Sequence, residues 1–244
     1  MTATVILSPH PDDAVLSCWH ALSAKGEVTV INVFAAIPSP GQPLSWWDRM
    51  TGAVDSAARM RERLAEDEQA LVRAGRTAVN LEFLDDQYRN GAQPLDEIVA
   101  ELDRRLPPST RVLAPAGIGA HPDHLLVRSA AIRLRDGGNE VALYADLPHA
   151  IRHGWPPHVS GGSRRRPGGA AQLDWEQALA RIGRALEPTT IHRLTARARA
   201  DKLAALREYS SQLEALSTMA YQPLETPDTL RYEVVWGLGA GACR

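Results

Sequence analysis

Five short apolar runs separated by helix-like stretches set the strongest constraint on what this chain can fold into. Thr4–Leu7, Val28–Phe34, Val79–Phe83, Val112–Ala114 and Val141–Tyr144 each have strand character. Val28–Phe34 (VTVINVF) is continuously apolar, as strands covered on both faces are. Between the runs lie helix-like Ala14–Ala24, closed by Gly26, and a charged helix over Asp55–Ala74, ended by Gly75. Leu95–Leu106 follows, stopped by Pro107-Pro108, and a last helix of this series runs to Arg135, before Gly137-Gly138. Strands alternating with helices argue for an α/β fold, a mainly parallel sheet with helices on both faces. Right-handed crossovers narrow the topology to a Rossmann-like, doubly wound arrangement. In its usual order, 3-2-1-4-5, strands one and four are neighbours, and ligands bind at the switch point between their carboxyl ends.

The remaining segments are less regular. Ala36–Gly52 reads as a loop rich in Pro, Ser, Gly and Trp. His149–Leu173 has Gly, Pro and the basic run Arg164–Arg166 without periodicity, and reads as a mobile surface loop, either a lid or a disordered insertion. Ala196–Leu216 is expected as one amphipathic helix and Leu230–Trp236 as a final strand at a sheet edge. At 244 residues the chain fits a single domain over 1–244.

Two related tetrapeptides occupy the loops that matter in such a topology. His10-Pro11-Asp12-Asp13 leaves strand one, and His121-Pro122-Asp123-His124 leaves strand four. Histidine and carboxylate are the ligand types of a borderline divalent metal such as zinc. The two loops meet at the crevice, so a metal-dependent enzyme is the leading reading. Asp12, Asp13 and Asp123 also stand where helix N-caps are expected, and capping would explain each aspartate singly. It does not explain a histidine three residues before Asp13, nor the pair His121 and His124. His20 reads as surface or core rather than ligand, and His149, His153 and His158 as loop residues of the kind most often solvated, one of which could reach a substrate. Of the two cysteines, Cys18 reads as a small buried residue and Cys243 lies beside the terminus, so no disulfide framework is expected.

A formal net charge of -2 gives no reason to expect nucleic acid or an anionic membrane as partner. No apolar stretch approaches the roughly 18 residues of a membrane span, and the start MTATVILS shows no basic, apolar leader, so a cytoplasmic protein is expected.

SPHPDDAVLS and AHPDH, in this order, resemble the LmbE-like or PIG-L-like zinc-dependent N-deacetylases, which typically remove acetate from glucosamine-containing substrates. The spacing Arg63-Leu-Ala-Glu66-Asp67, Phe83-Leu84-Asp85, LYADLPHA (Leu143–Ala150) and KLAALREYSSQ (Lys202–Gln212) extend the likeness over most of the chain. The resemblance implies one Zn2+ on His10, Asp13 and His124, another divalent metal being compatible with the same ligands. Three protein ligands leave a fourth position for water, as catalytic zinc sites do. It further implies Asp12 as general base and a protonated His121 that stabilises the oxyanion. Asp123 is then either a carboxylate orienting one histidine or a helix cap. Asp85 matches a position that contacts sugar hydroxyls, while Arg63 binds substrate or pairs with Asp67 one turn on. Trp46 and Trp47 could stack on a sugar or an acyl chain. The commoner use of such a pair is to plug a loop onto the domain, or to sit at the contact of a homo-oligomer.

The chain departs from the family pattern at Ala14, where Glu is common, and at Gly119, where some members carry Tyr. These departures argue against a mycothiol-precursor substrate. The expected activity is therefore N-deacetylation of an amino-sugar conjugate, a small-molecule substrate. The alternatives are an amidase for a larger acyl group or thiol conjugate, a non-catalytic small-molecule binding module, and a metallophosphoesterase. The last needs a bimetallic cluster, for which the motifs offer too few ligands. No G-x-G-x-x-G follows strand one, which disfavours dinucleotide binding.

Overall fold

The computed structural model describes residues 3–107, 109–161 and 170–242. Its first half follows the expected alternation: β1 (Thr4–Ser8), α1 (Asp13–Ser17), α2 (Trp19–Leu22), β2 (Val28–Asn32), α3 (Trp46–Met50), α4 (Ser56–Val72) and β3 (Ala78–Asn80). Then come α5 (Leu95–Arg105), β4 (Arg111–Pro115), α6 (Pro122–Asp136) and β5 (Glu140–Tyr144). These five strands pair in parallel in the order β3-β2-β1-β4-β5, the doubly wound order expected. The connections reverse direction between β1 and β4, so right-handed crossovers put α1 and α4 on one face and α5 and α6 on the other. The apolar runs Val5–Leu7, Val112–Ala114 and Val141–Tyr144 are buried between these layers.

The second half contains α7 (Pro157–Ser160), α8 (Ala170–Ala180), β6 (Arg184–Leu186), β7 (Thr190–Arg193), α9 (Ala196–Leu206), α10 (Leu213–Met219) and β8 (Tyr232–Ala242). The structure as a whole departs from expectation in several places. The final strand is longer than Leu230–Trp236 and is not an edge: β8 runs antiparallel to β5 and is itself covered by β6 and β7. The latter two are short and largely exposed, so they carry no apolar alternation to betray them. The single helix over Ala196–Leu216 is two, interrupted by a turn in which Ser210 Oγ and the Ser211 amide and hydroxyl donate to the Glu66 carboxylate on α4. Ala36–Gly52 contains α3, begun by a reciprocal Ser45/Asp48 capping box.

The fourth departure is the stretch His149–Leu173. It is not devoid of regular structure: a 3-10 turn covers His149–Ile151, α7 covers Pro157–Ser160, and α8 begins at Ala170. The Trp175 indole anchors α8 by donating to the Ala150 carbonyl at 2.7 Å. Residues 162–169, with the basic run, lie outside the described residues, as does Cys243. Cys18 is buried, and burial followed by the Glu233 charge holds its thiol well above the ordinary range.

The first helix also divides, at Cys18. The amides of Trp19 and His20, freed by the break, donate to Glu233 of β8 at 2.8 and 2.7 Å. Glu233 is in turn paired with Lys202 of α9 at 2.6 Å, both side chains being fully buried. Among the described residues, no helix is long and apolar enough to cross a membrane.

Candidate active site

The carboxyl ends of β1 and β4 are adjacent, so the loops leaving them share one crevice. Ser8 closes β1 and pins the first loop, its hydroxyl donating to the His10 carbonyl at 2.6 Å and accepting from the Ala14 amide at 3.1 Å. The Asp13 carboxylate accepts from the His10 amide at 2.9 Å. Asp12, between them, has φ 148°, a conformation costly for a residue with a Cβ, and makes no side-chain cap to α1. The cap of α6 is His121, whose Nδ1 accepts from the Asp123 amide at 3.3 Å. Helix capping therefore accounts for none of the three aspartates.

His10 Nδ1 and His124 Nε2 each stand 3.3 Å from Asp13 Oδ2. Candidate ligand atoms of His10, Asp13 and His124 lie within 4.8 Å of one another, and all three residues are buried. The outward nitrogen of each imidazole meets a carboxylate, His10 Nε2 with Asp123 at 3.0 Å and His124 Nδ1 with Asp146 at 2.9 Å. Such pairing fixes the tautomer that leaves the inner nitrogens free to bind a metal. A second group, His10, His121 and Asp123, is also compact. In that group Asp123 is already engaged by His10, the Asp86 amide at 2.9 Å and Arg89 at 2.6 Å. The first trio is thus the one whose donors fit a divalent cation.

The charges agree with this. Burial opposes protonation of His124, yet Asp13 and Asp146 carry it up to about 9. Burial likewise opposes a charged His10, but Asp85, Asp123 and Asp13 hold it well above its usual value. Despite burial, hydrogen bonds from His10 and the Asp86 amide, with Arg89 beside it, keep Asp123 down at about 2. The carboxylates demand positive charge at this point, which a metal would supply.

Asp12 lies beside this cluster and lines a cleft of about 360 Å³ together with His121, Arg63 and Asp85. Burial, then the Asp13 charge, pushes its carboxyl up to about 8. Arg63 does not pair with Asp67. It stands 3.2 Å from Asp85 and 3.9 Å from Asp12, while Asp67 accepts from Tyr209 and Asn32, each at 2.7 Å. His10 and Arg63 hold Asp85 below the ordinary carboxylate range against its burial. The expectation of a protonated His121 is not met: burial and the facing His10 and His124 lower it to about 3. With Nδ1 accepting a backbone N–H, the neutral ring keeps its proton on Nε2.

The cleft lining also includes the apolar side chains of Trp46, Trp47, Leu216 and Met219. The two tryptophans divide their work. Trp47 packs on the core and donates to Gln212 at 2.6 Å, whereas Trp46 stays 60% exposed at the mouth.

Asp146, Arg89 and His149 were not singled out by sequence reasoning. Asp146 and His149 lie in the segment LYADLPHA, whose likeness to the family was the available signal. Of the three loop histidines, His149 is the one that lines the cleft, with its ring 5.2 Å from that of His124. A Cβ added at Gly119, where φ is 91°, would meet His149 Cβ at 2.8 Å, so glycine at 119 makes room for this histidine.

Comparison with known proteins gives this geometry relatives. The family model PIG-L, described as GlcNAc-PI de-N-acetylase, matches residues 5–134. A 2'-N-acetylparomamine deacetylase of Streptomyces fradiae is 32% identical over 169 residues, which cover 60% of this chain and 57% of that protein. The match thus spans little more than half the length of this relative. A solved deacetylase triple mutant from the teicoplanin biosynthetic pathway is 27% identical with a TM-score of 0.70, covering 98% of each chain. The A40926 pseudoaglycone deacetylase is 25% identical with a TM-score of 0.73, covering 100% of this chain and 99% of its own.

Proposed function

This chain belongs to the PIG-L, GlcNAc-PI de-N-acetylase, family, and from that premise we propose that it is a metal-dependent N-deacetylase acting on an amino-sugar conjugate in small-molecule biosynthesis. One observation carries the reading: three mutually close ligand atoms on His10, Asp13 and His124, with the strained Asp12 beside them at the head of a cleft. A divalent cation, zinc by the nitrogen and oxygen donor set, would be held by these three residues. When bound, it supplies a Lewis acid that acidifies water and polarises the amide carbonyl.

The chain's own groups do the rest. The Asp12 carboxylate takes the proton of the attacking water as the carbon–oxygen bond forms. Burial and the Asp13 charge raise the proton affinity of this carboxyl, which lets it retain the proton it has taken. It then delivers it to the amide nitrogen as the carbon–nitrogen bond breaks and the amine leaves with acetate as co-product. His121 offers its Nε2 proton to the oxygen that gains charge. Arg63, spanning Asp12 and Asp85, keeps both carboxylates in place, and Asp85, which also accepts from the Gln87 amide and side chain, lines the cleft where a sugar hydroxyl would lie. Asp123 and Asp146 orient the two ligand histidines. The apolar part of the lining, with its exposed Trp46, suits a sugar bearing an apolar substituent, which supports a conjugate over a free sugar. A binding module would have no use for Asp12 in a costly backbone conformation next to the ligands.

The test is amine release from a panel of N-acetylglucosamine conjugates, with metal-loaded protein and a chelated control. Metal-dependent release is expected. Silence across the panel with one metal bound per chain would point to another acyl group, and silence with no metal bound would remove the premise.

A further inference from the structure

A second cavity of about 320 Å³ shares His149 with the cleft and is lined by Gly117, Gly119, Arg128, Arg152, Asp174 and Arg181. Three guanidinium groups line this cavity with one carboxylate, Asp174, which already faces His153 Nε2 at 3.4 Å, while the Asp146 charge acts on Arg128 from outside the lining. Five of the ten buried or half-buried arginines among the described residues have a carboxylate partner, Arg63 and Arg89 among them. Among the described residues, none of these three is in an ion pair. Arg128 gives one amino group to the Ala116 carbonyl at 2.9 Å, and Arg152 lies over the Tyr221 ring at 5.4 Å. The Nε atoms of both are buried without a hydrogen-bond partner. Partly desolvated like charges with unused donors are costly unless an anion completes them. Planar guanidinium forks match carboxylates in shape as well as charge.

We propose that this cavity is an anion subsite of the active centre, taking a carboxylate: either the acid released from the amide or an acidic group carried by the substrate. The proposal rests on the deacetylase reading only for the source of its ligand. His149 then lines both the cleft where the acyl carbon reacts and the cavity where a carboxylate is held.

The experiment compares the wild type with Arg152→Gln/Arg181→Gln and with Arg181→Lys. Arg181 is exposed and Arg152 half-buried, so neither change empties the core. Acetate binding is followed by line broadening of labelled acetate, on metal-loaded protein and after chelation. In the wild type a binding component survives chelation. It weakens at least tenfold in the double variant and persists in Arg181→Lys. Equal affinity in wild type and double variant, or no chelation-resistant binding in either, overturns the proposal. The ratio of kcat/KM for N-acetylmuramic acid to that for N-acetylglucosamine separates the two sources. A ratio that falls in the double variant assigns the subsite to an acidic substituent, and an unchanged ratio with lost acetate binding assigns it to the released acid. Absence of turnover on every substrate would count against the deacetylase reading, while the acetate titration would still decide the subsite.

Discussion

Replacing Asp146 by Asn tests the reasoning about the metal site with little change of shape. Asp146 Oδ2 lies 2.9 Å from His124 Nδ1, and Oδ1 accepts from the Ile118 amide at 3.0 Å. Both carboxylate oxygens are therefore acceptors, and an amide can replace only one. If the Asn oxygen keeps the Ile118 N–H, its NH2 faces His124 Nδ1, and the ring proton must move to Nε2. That nitrogen is the one 3.3 Å from Asp13, where a metal would bind. If the amide turns the other way, the buried Ile118 N–H is left against a second donor, at a cost of about 1–3 kcal/mol. Loss of a partner behind a ligand histidine costs about 10–100-fold in metal affinity or activity, or about 1.4–2.8 kcal/mol. Asp146→Asn should accordingly weaken metal binding by this factor in competition against a chelator, and lower kcat/KM at subsaturating metal. The far-ultraviolet circular dichroism should be unchanged. Metal affinity and turnover both within threefold of the wild type would refute the assignment of His124 as a ligand oriented by Asp146.

Three further outcomes are expected. Asp12→Ala should retain the metal and lose turnover by at least 100-fold, in keeping with removal of a general acid–base, whereas His124→Ala should lose both; equal metal loss in the two would overturn the base assignment. Trp46→Ala should raise KM roughly tenfold for conjugates with an apolar substituent, the worth of one aromatic contact, and leave KM for N-acetylglucosamine itself within twofold. Equal effects on both would return Trp46 to a structural role. Glu233 is fully buried, and although burial opposes it, Lys202 and His20 hold its carboxyl at about 2 against an ordinary 4.5. A depressed carboxylate contributes stability that is complete above about 4.5 and is lost as pH falls toward 2, on the order of 3 kcal/mol in all. Urea midpoints measured from pH 5 to 3 should thus fall more steeply in the wild type than in Glu233→Gln, and parallel slopes would contradict the pairing.

What the sequence discloses and what it conceals divide along the range of the interactions. His10, Asp12 and Asp13 sit next to a buried strand and before a helix, and His121, Asp123 and His124 do the same at β4. Strand adjacency then follows from crossover handedness, so local pattern plus one topological rule suffices to bring the loops together. Asp146 is no less important to the geometry, yet it stands in a loop with no periodicity and touches a residue 22 positions away. Arg63 misled for a related reason. The i, i+4 rule describes exposed helix faces, but this part of α4 is buried, and Asp67 finds Tyr209 and Asn32 instead. The protonation of His121 was out of reach as well, because it depends on burial and on His10 arriving from the loop after β1.

The break at Cys18 shows how remote packing completes the site. A helix continuing through Ala14–Ala24 would satisfy its own amides. Here it stops after five residues, and the N–H groups at Trp19 and His20 need another acceptor. Glu233 supplies it from β8, more than two hundred residues along the chain, and a carboxylate at that position also suits the positive end of α2. Burying a carboxylate alone would cost several kcal/mol. Lys202 answers that charge, and its ammonium also donates to the Leu16 carbonyl at 2.6 Å. The same ion pair thus grips α1 at Leu16 and α2 at Trp19 and His20, on both sides of the break. Since α1 begins at Asp13, the β8–α9 pair anchors the short helix that carries a metal-ligand candidate, and the late segment around Lys202 serves the site without lining it.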